Sequence, residues 1–295
     1  MLGCQYSLIA IGFTLFFGVL NVVVFCHGDF ATLALFAASA ILPAVLGLSL
    51  NAPLLKAALV VLLLFLSMAL VGLVGTLVER ATIRPLRQAP SLMPLLVTAA
   101  VGIVLAQGLK IFYPQGSNPQ IFPLNLGTSG MRFGSFSLSY TELLILLSAF
   151  IMVLFTFFFI KRTRTGLQIE AISQDMEAAA MMGIHVNRGV TITFFFGASL
   201  AAMAGFMNGL YYSVFRYDLG AMAGIKGFSA SVVGGLGSVF GAIMGGFLMA
   251  FVESFAAAYI PGATPYRDVF SFLVVLLFLI FRPSGILGAQ LREKV

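Results

Sequence analysis

Four ionisable side chains sit inside or against otherwise apolar stretches of the chain. Glu253 lies deep within FLMAFVESFAAAYIPG, His27 and Asp29 stand two residues apart between two apolar runs, and Lys226 opens another. In such settings an ionisable group is either a pairing partner between helices or a contact for something passing through. Both readings stand open for Glu253. His27 and Asp29 fit a ligand-facing role, and Asp29, ahead of an apolar run, also fits a helix N-cap. Lys226 is expected to snorkel to the interface along its long stem. Bond-making chemistry is poorly provided for. The two histidines, His27 and His185, are far apart, and no metal-ligand cluster or nucleophile constellation is present. No G-x-x-x-x-G-K-[ST] loop occurs to cradle a nucleotide's phosphates.

The elements that must position these groups are membrane elements. Of 295 residues, 60% are hydrophobic and 9% charged, against about a quarter charged in a soluble domain. Runs at 2–24, 54–78, 93–112, 140–160 and 190–212 reach the roughly 20 residues that cross a hydrocarbon core. Residues 1–295 therefore read as one all-α transmembrane domain, a bundle of about eight hydrophobic segments rather than a barrel of short alternating strands. The first run has no basic n-region or small-residue cleavage site and reads as a retained helix. Cys4 and Cys26 flank it; along one helix they would stand about 33 Å apart, beyond the roughly 7 Å a disulfide spans. They read as inert buried thiols.

The net charge of +6 is concentrated in Arg80, Arg84, Arg87; Lys161, Arg162, Arg164, Arg188; and Arg282, Arg292, Lys294. This is the pattern of cytoplasmic loops under the positive-inside rule, and no basic, aromatic-studded soluble face exists for nucleic acid. Residues 113–139, rich in Gly, Pro, Ser and Asn, then read as an external loop with turns. Residues 225–236 are too short to cross and lead into VVGGLGSVFGAIMGG, which reads as a half-helix from outside, a glycine turn and a return. With the first run taken as outward-going, residues 21–39 form a second broken or re-entrant segment. Paired breaks of this kind build solute sites near the midplane, or serve only to let helices approach closely. The candidate pathway residues are Asn21, His27, Asp29, Gly234, Gly235, Gly237 and Glu253, with the three glycines offering backbone amides to a carboxylate.

The loop 161–189 is the longest polar passage. Apolar residues from Leu167 onward fall at helical spacing, Ser173 to Asp175 supply an N-terminal signal and Gly183 a stop, giving one or two short helices joined near Ser173–Asp175. Every charge within 167–184 is acidic, unlike a helix that lies on a membrane surface. A short helix with a small apolar face suits a groove on a cytoplasmic partner.

The stretch EAAAMMGI at 177–184 resembles the cytoplasmic coupling loop of ABC importer permeases. The wider chain resembles the branched-chain amino acid permease family, in the shorter of its two paired membrane subunits. GFTLFFGVLNVVVFCHGDF, ERATIRPLR, RTGLQIEAISQDMEAAAMMGI, VVGGLGSVFGAIMGG and YRDVFSFLVVLLFLIFRPSGILG carry the resemblance by occurring in the family's order. The family's N-terminus is somewhat longer than MLGCQYSL, so the expected first helix is a trimmed one. The resemblance implies a permease of the bacterial inner membrane, moving branched-chain or other hydrophobic amino acids and carrying out no bond chemistry. It implies two ATP-binding cassette subunits, a companion permease, a periplasmic substrate-binding protein and surrounding lipid, with ATP used by the partner subunits and no cofactor on this chain. Glu177, Ala178, Ala179, Gly183 and Ile184 would couple to the ATPase. Alternatives are a permease for urea, short amides or aromatic acids in the same family, a more distant sugar permease, and a stand-alone channel or carrier.

Overall fold

Lipid offers the backbone no hydrogen-bond partners, so each apolar run must pair its own amides and carbonyls and folds as an α-helix. The computed structural model describes residues 1–46, 53–87, 89–90, 92–122, 124, 130–133, 136–262 and 264–288. Among them, seven helices are long and apolar enough to cross a membrane.

The chain begins with α1 (Leu2–Leu20), which stops at Asn21 in the left-handed conformation, φ 52°. After a short extended break, α2 (His27–Leu46) follows, then α3 (Pro53–Val78), a π-helical turn Glu79–Ile83 and a 3₁₀ turn Arg84–Leu86. α4 (Leu92–Phe112) leads to β1 (Gln120–Ile121) and an antiparallel hairpin of β2 (Gly130–Phe133) and β3 (Phe136–Ser139). Parts of the expected loop 113–139 lie outside the described residues. α5 (Tyr140–Arg162) opens with a reciprocal capping box between Ser139 and Glu142.

The polar loop forms α6 (Arg164–Gln174) and α7 (Met176–Met181). α8 (Val186–Tyr212) runs into β4 (Val214–Phe215), which pairs with β1. α9 (Leu219–Gly234), α10 (Val239–Tyr259) and α11 (Arg267–Phe281) complete the bundle. α1 is its axis, almost wholly buried against α8, α9 and α10, while α4, α5 and α11 turn most of their surface outward.

Lys161 and Arg87, from two of the basic groups in the sequence, lie at one end of the bundle. Lys161 shares a cavity of about 610 Å³ with Gly18 and Val19 at the finish of α1 and with Gly237 and Ser238 at the start of α10. Arg87 shares another with Leu20, Asn21 and Met176. α1 therefore finishes at the basic end and runs toward it. The opposite direction expected above fails because α1 carries no charge on which a positive-inside argument could act. From Asn21 the chain climbs back, so His27 lies beside Gly12 in the middle of α1, its Nε2 3.1 Å from the Ile9 carbonyl oxygen. Cys26 accordingly lies back inside the bundle rather than a helix length from Cys4, and both thiols are free and buried.

The expected half-helix is also revised. α9 has 16 residues, and the turn after it sits at the basic end instead of mid-depth, tied down by Ile286 N–H donating to Val233 O and Leu287 N–H to Gly234 O at 2.9 and 3.0 Å. α9 and α10 then touch backbone to backbone: a Cβ on Gly234 would stand 2.0 Å from the Gly241 carbonyl oxygen. Glycine is what permits that approach.

Candidate functional site

Among the described residues, polar assemblies interrupt the apolar packing, and three of them bear on the candidate site. The first is the α6–α7 elbow. Thr163 caps α6 through its hydroxyl, and Asp175 caps α7 by accepting from the Glu177 and Ala178 amides at 3.0 Å. Gly183 closes the element at φ 81°, where any side chain would be strained. Ile169, Ile172 and Ala179 are buried and pin the elbow to the bundle, whereas Glu177, Ala178 and Gly183 are exposed and Ile184 is half-buried. Met181 and Met182 are 82% and 83% exposed. The joint falls where the sequence places it, at Asp175.

The second assembly ties the start of α8 to the turns that follow α3. Glu79, fully buried, accepts from Arg87 Nη2 at 2.8 Å and from the Thr191 hydroxyl at 2.9 Å. Arg87 Nη1 also donates to Asn187 Oδ1 at 2.5 Å. The π turn thus holds the first turns of α8, a few residues past α7. Sequence reasoning missed this cluster; the signal was there in an acidic residue followed by RPLR at the end of an apolar run.

The third assembly surrounds Glu253, which is 1% exposed. It accepts from the Tyr6 hydroxyl at 2.7 Å, from Lys226 Nζ at 3.2 Å, and from Arg267 Nε at 3.1 Å. Lys226 reaches Asp268 as well, at 2.6 Å. The expected snorkelling of Lys226 is therefore wrong: it is buried, because three partners on α1, α10 and α11 converge on its ammonium.

The remaining candidate residues are not brought together. Asn21 lies at the basic end, and His27 and Asp29 at mid-depth. Asp29 is within the first turn of α2, one turn too far along to cap it. Its carboxylate sits between Gly102 on α4 and Gly220 on α9. Gly234, Gly235 and Gly237 form the basic-end turn, with the Gly235 amide already donating to Ser231 and Val232 carbonyls. Gly237 lies directly ahead of α10, whose N-terminus Ser238 caps by accepting from the Gly241 amide at 3.1 Å. Among the described residues no group of His, Cys, Asp and Glu could hold a metal ion.

A bundle crossed several times by apolar helices, ending in one anchored polar elbow, is a multi-pass membrane protein. Residues 1–279 match the model for the branched-chain amino acid transport system permease component, and the chain belongs to that family. It is 33% identical to the high-affinity branched-chain amino acid transport system permease protein BraD of Pseudomonas aeruginosa, over 99% of this chain and 94% of that one. It is 32% identical to LivH of Escherichia coli, which bears the same description, over 100% and 94%. A probable branched-chain amino acid transport permease LivH of Methanocaldococcus jannaschii is 26% identical over 97% and 89%. No solved structure matches the chain.

Proposed function

We propose that the chain is a permease subunit of an ATP-driven importer in a bacterial inner membrane, moving branched-chain or other hydrophobic amino acids, with the elbow in the cytoplasm. The observation that carries this reading is the elbow: a capped two-helix element whose inner residues are anchored and whose outer face offers Glu177, Ala178, Met181 and Met182. Met side chains adapt to a partner's groove, and the surrounding basic end supports the cytoplasmic assignment. The printed names of the relatives support the solute class.

In this reading two separate ATPase subunits, which use the ATP, grip the elbows of this chain and of a companion permease. A periplasmic binding protein delivers the solute. Motion of α7 passes to α8 because a Cβ at Gly189 would meet Ile172 at 2.3 Å, so α6 and α8 touch without slack. The bundle then shifts between two states, each favoured by a different nucleotide condition.

The test is gentle purification of the tagged chain from its native membrane, beside a Glu177→Lys, Gly183→Trp variant, followed by uptake in proteoliposomes. An ATPase that accompanies the wild type and is lost from the variant, with ATP-dependent leucine uptake, is the expected result. A folded chain with no ATPase overturns it in favour of a channel or carrier. Uptake of urea or short amides in place of leucine would reassign the solute.

A further inference from the structure

The break between α1 and α2 is costly in a place where it could face lipid. The amides of Val22, Val23 and Val24 have no acceptor among the described residues, while Phe25 N–H donates to the Thr98 hydroxyl at 3.2 Å. Phe25 is 39% exposed, and two residues later His27 stands beside Gly12, halfway along the central helix. Each unpaired backbone group in hydrocarbon costs several kcal/mol, so non-helical chain at this depth is stable only where protein buries it or water reaches it.

Two observations favour water. The carboxylate of Asp29, a residue 7% exposed, forms no hydrogen bond or ion pair among the described residues, although it lies within the fold against Gly102 of α4 and Gly220 of α9. An intramembrane carboxylate without a protein partner is costly as an anion unless water or a cation reaches it, and such groups mark solute pathways. Alongside it, α9 turns outward Met222 at 48% and Ile225 at 46%, three residues apart on one face that continues to Phe228. The ring of Phe228 is 6.2 Å from that of Phe25. The Phe25 carbonyl lies over Gly224, so the break and α9 form one wall.

We infer that Val22, Val23, Phe25, Met222 and Ile225 line a water-filled passage in which Asp29 meets the ammonium group of an apolar amino acid, while Met222 and Ile225 select its side chain. This rests on the proposed function for the solute class, and it names a different wall from the basic-end glycines and the Glu253 network. The free amides of the break complement a carboxylate, Asp29 complements an ammonium, and the α9 flank complements a branched hydrocarbon. A neutral polar solute would leave that flank without a role.

The experiment uses the complete complex in proteoliposomes, with single cysteines at Val23, Phe25, Met222 and Ile225 and comparators at Leu62 and Leu147. The comparators are as exposed, at 60% and 58%, on the outward faces of α3 and α5. A membrane-impermeant charged methanethiosulfonate is the probe. Because the thiolate is the reacting form and requires water, the wall positions should label more than about tenfold faster than the comparators. Saturating leucine should slow them. Equal rates at all six positions overturn the passage, and fast labelling untouched by leucine in a leucine-importing parent overturns the solute contact. Should the parent import another solute, that solute becomes the protectant, so failure of the substrate reading is seen separately. Met222→Ala should raise the KM for leucine more than that for valine, and Asp29→Asn should raise both; a uniform kcat loss with unchanged KM in both variants would count against the assignment.

Discussion

Lys226 and Glu253 are 27 residues apart in the chain, and their side chains meet at 3.2 Å with almost no exposure. Removing one member leaves the other charge buried with fewer partners, which in comparable pairs costs about 3–5 kcal/mol. Glu253→Ala is expected to lower the apparent melting temperature in detergent markedly. Lys226→Met combined with Glu253→Leu should lose less than the sum of the two single variants, since members of one network do not add. Additive losses would show that the two charges are independent.

Glu79 holds Arg87 and Thr191 together, so its replacement should loosen the start of α8 in particular. Thr191→Val removes one neutral donor to a buried carboxylate and is expected to cost about 1–3 kcal/mol. Glu79→Ala should cost more, leaving the Arg87 guanidinium without its carboxylate. Hydrogen exchange read at residues 187–191 checks this; unchanged protection there would separate the π turn from α8.

Asp175 caps a helix of only six residues. Asp175→Ala is expected to remove about 0.5–2 kcal/mol of local stability, read as faster exchange of the Glu177 and Ala178 amides. Asp175→Asn keeps a capping oxygen and should restore most of the protection. Equal exchange in wild type and Ala variant would place the stability of α7 elsewhere.

Gly28 and Gly108 make a matched pair. A Cβ on Gly28 would lie 2.1 Å from the Gly220 carbonyl oxygen and 2.5 Å from the Gly224 α-carbon, whereas Gly108 has nothing within 4 Å. Intrinsic propensity favours alanine in either helix by about 1 kcal/mol. Gly108→Ala should therefore leave the yield of folded protein unchanged or raised, and Gly28→Ala should collapse it. Size-exclusion profiles in detergent decide between these outcomes.

What the sequence made legible was local. Asp175 and Gly183 announce the elbow because capping and positive φ are properties of a few neighbouring residues. The apolar runs announce the spans for the same reason. The direction of α1 was hidden because its 19 residues carry no charge. The fate of Lys226 was hidden because Glu253 and Asp268 approach it only once α9, α10 and α11 have packed. The glycines after α9 suggested a mid-depth turn, yet turn chemistry is silent about depth, and only the contact with residues 286–287 fixes it.

The bare contact of Gly234 with Gly241 has a mechanical meaning. Helices separated by side chains can exchange rotamers and slip along one another, but backbones that abut have nothing to re-sort. Gly245, whose Cβ would sit 2.0 Å from the Ala230 carbonyl oxygen, extends the seam by another turn. α9 and α10 are thus locked against sliding along this seam, and any rearrangement of the bundle must carry Lys226 and Glu253 along together.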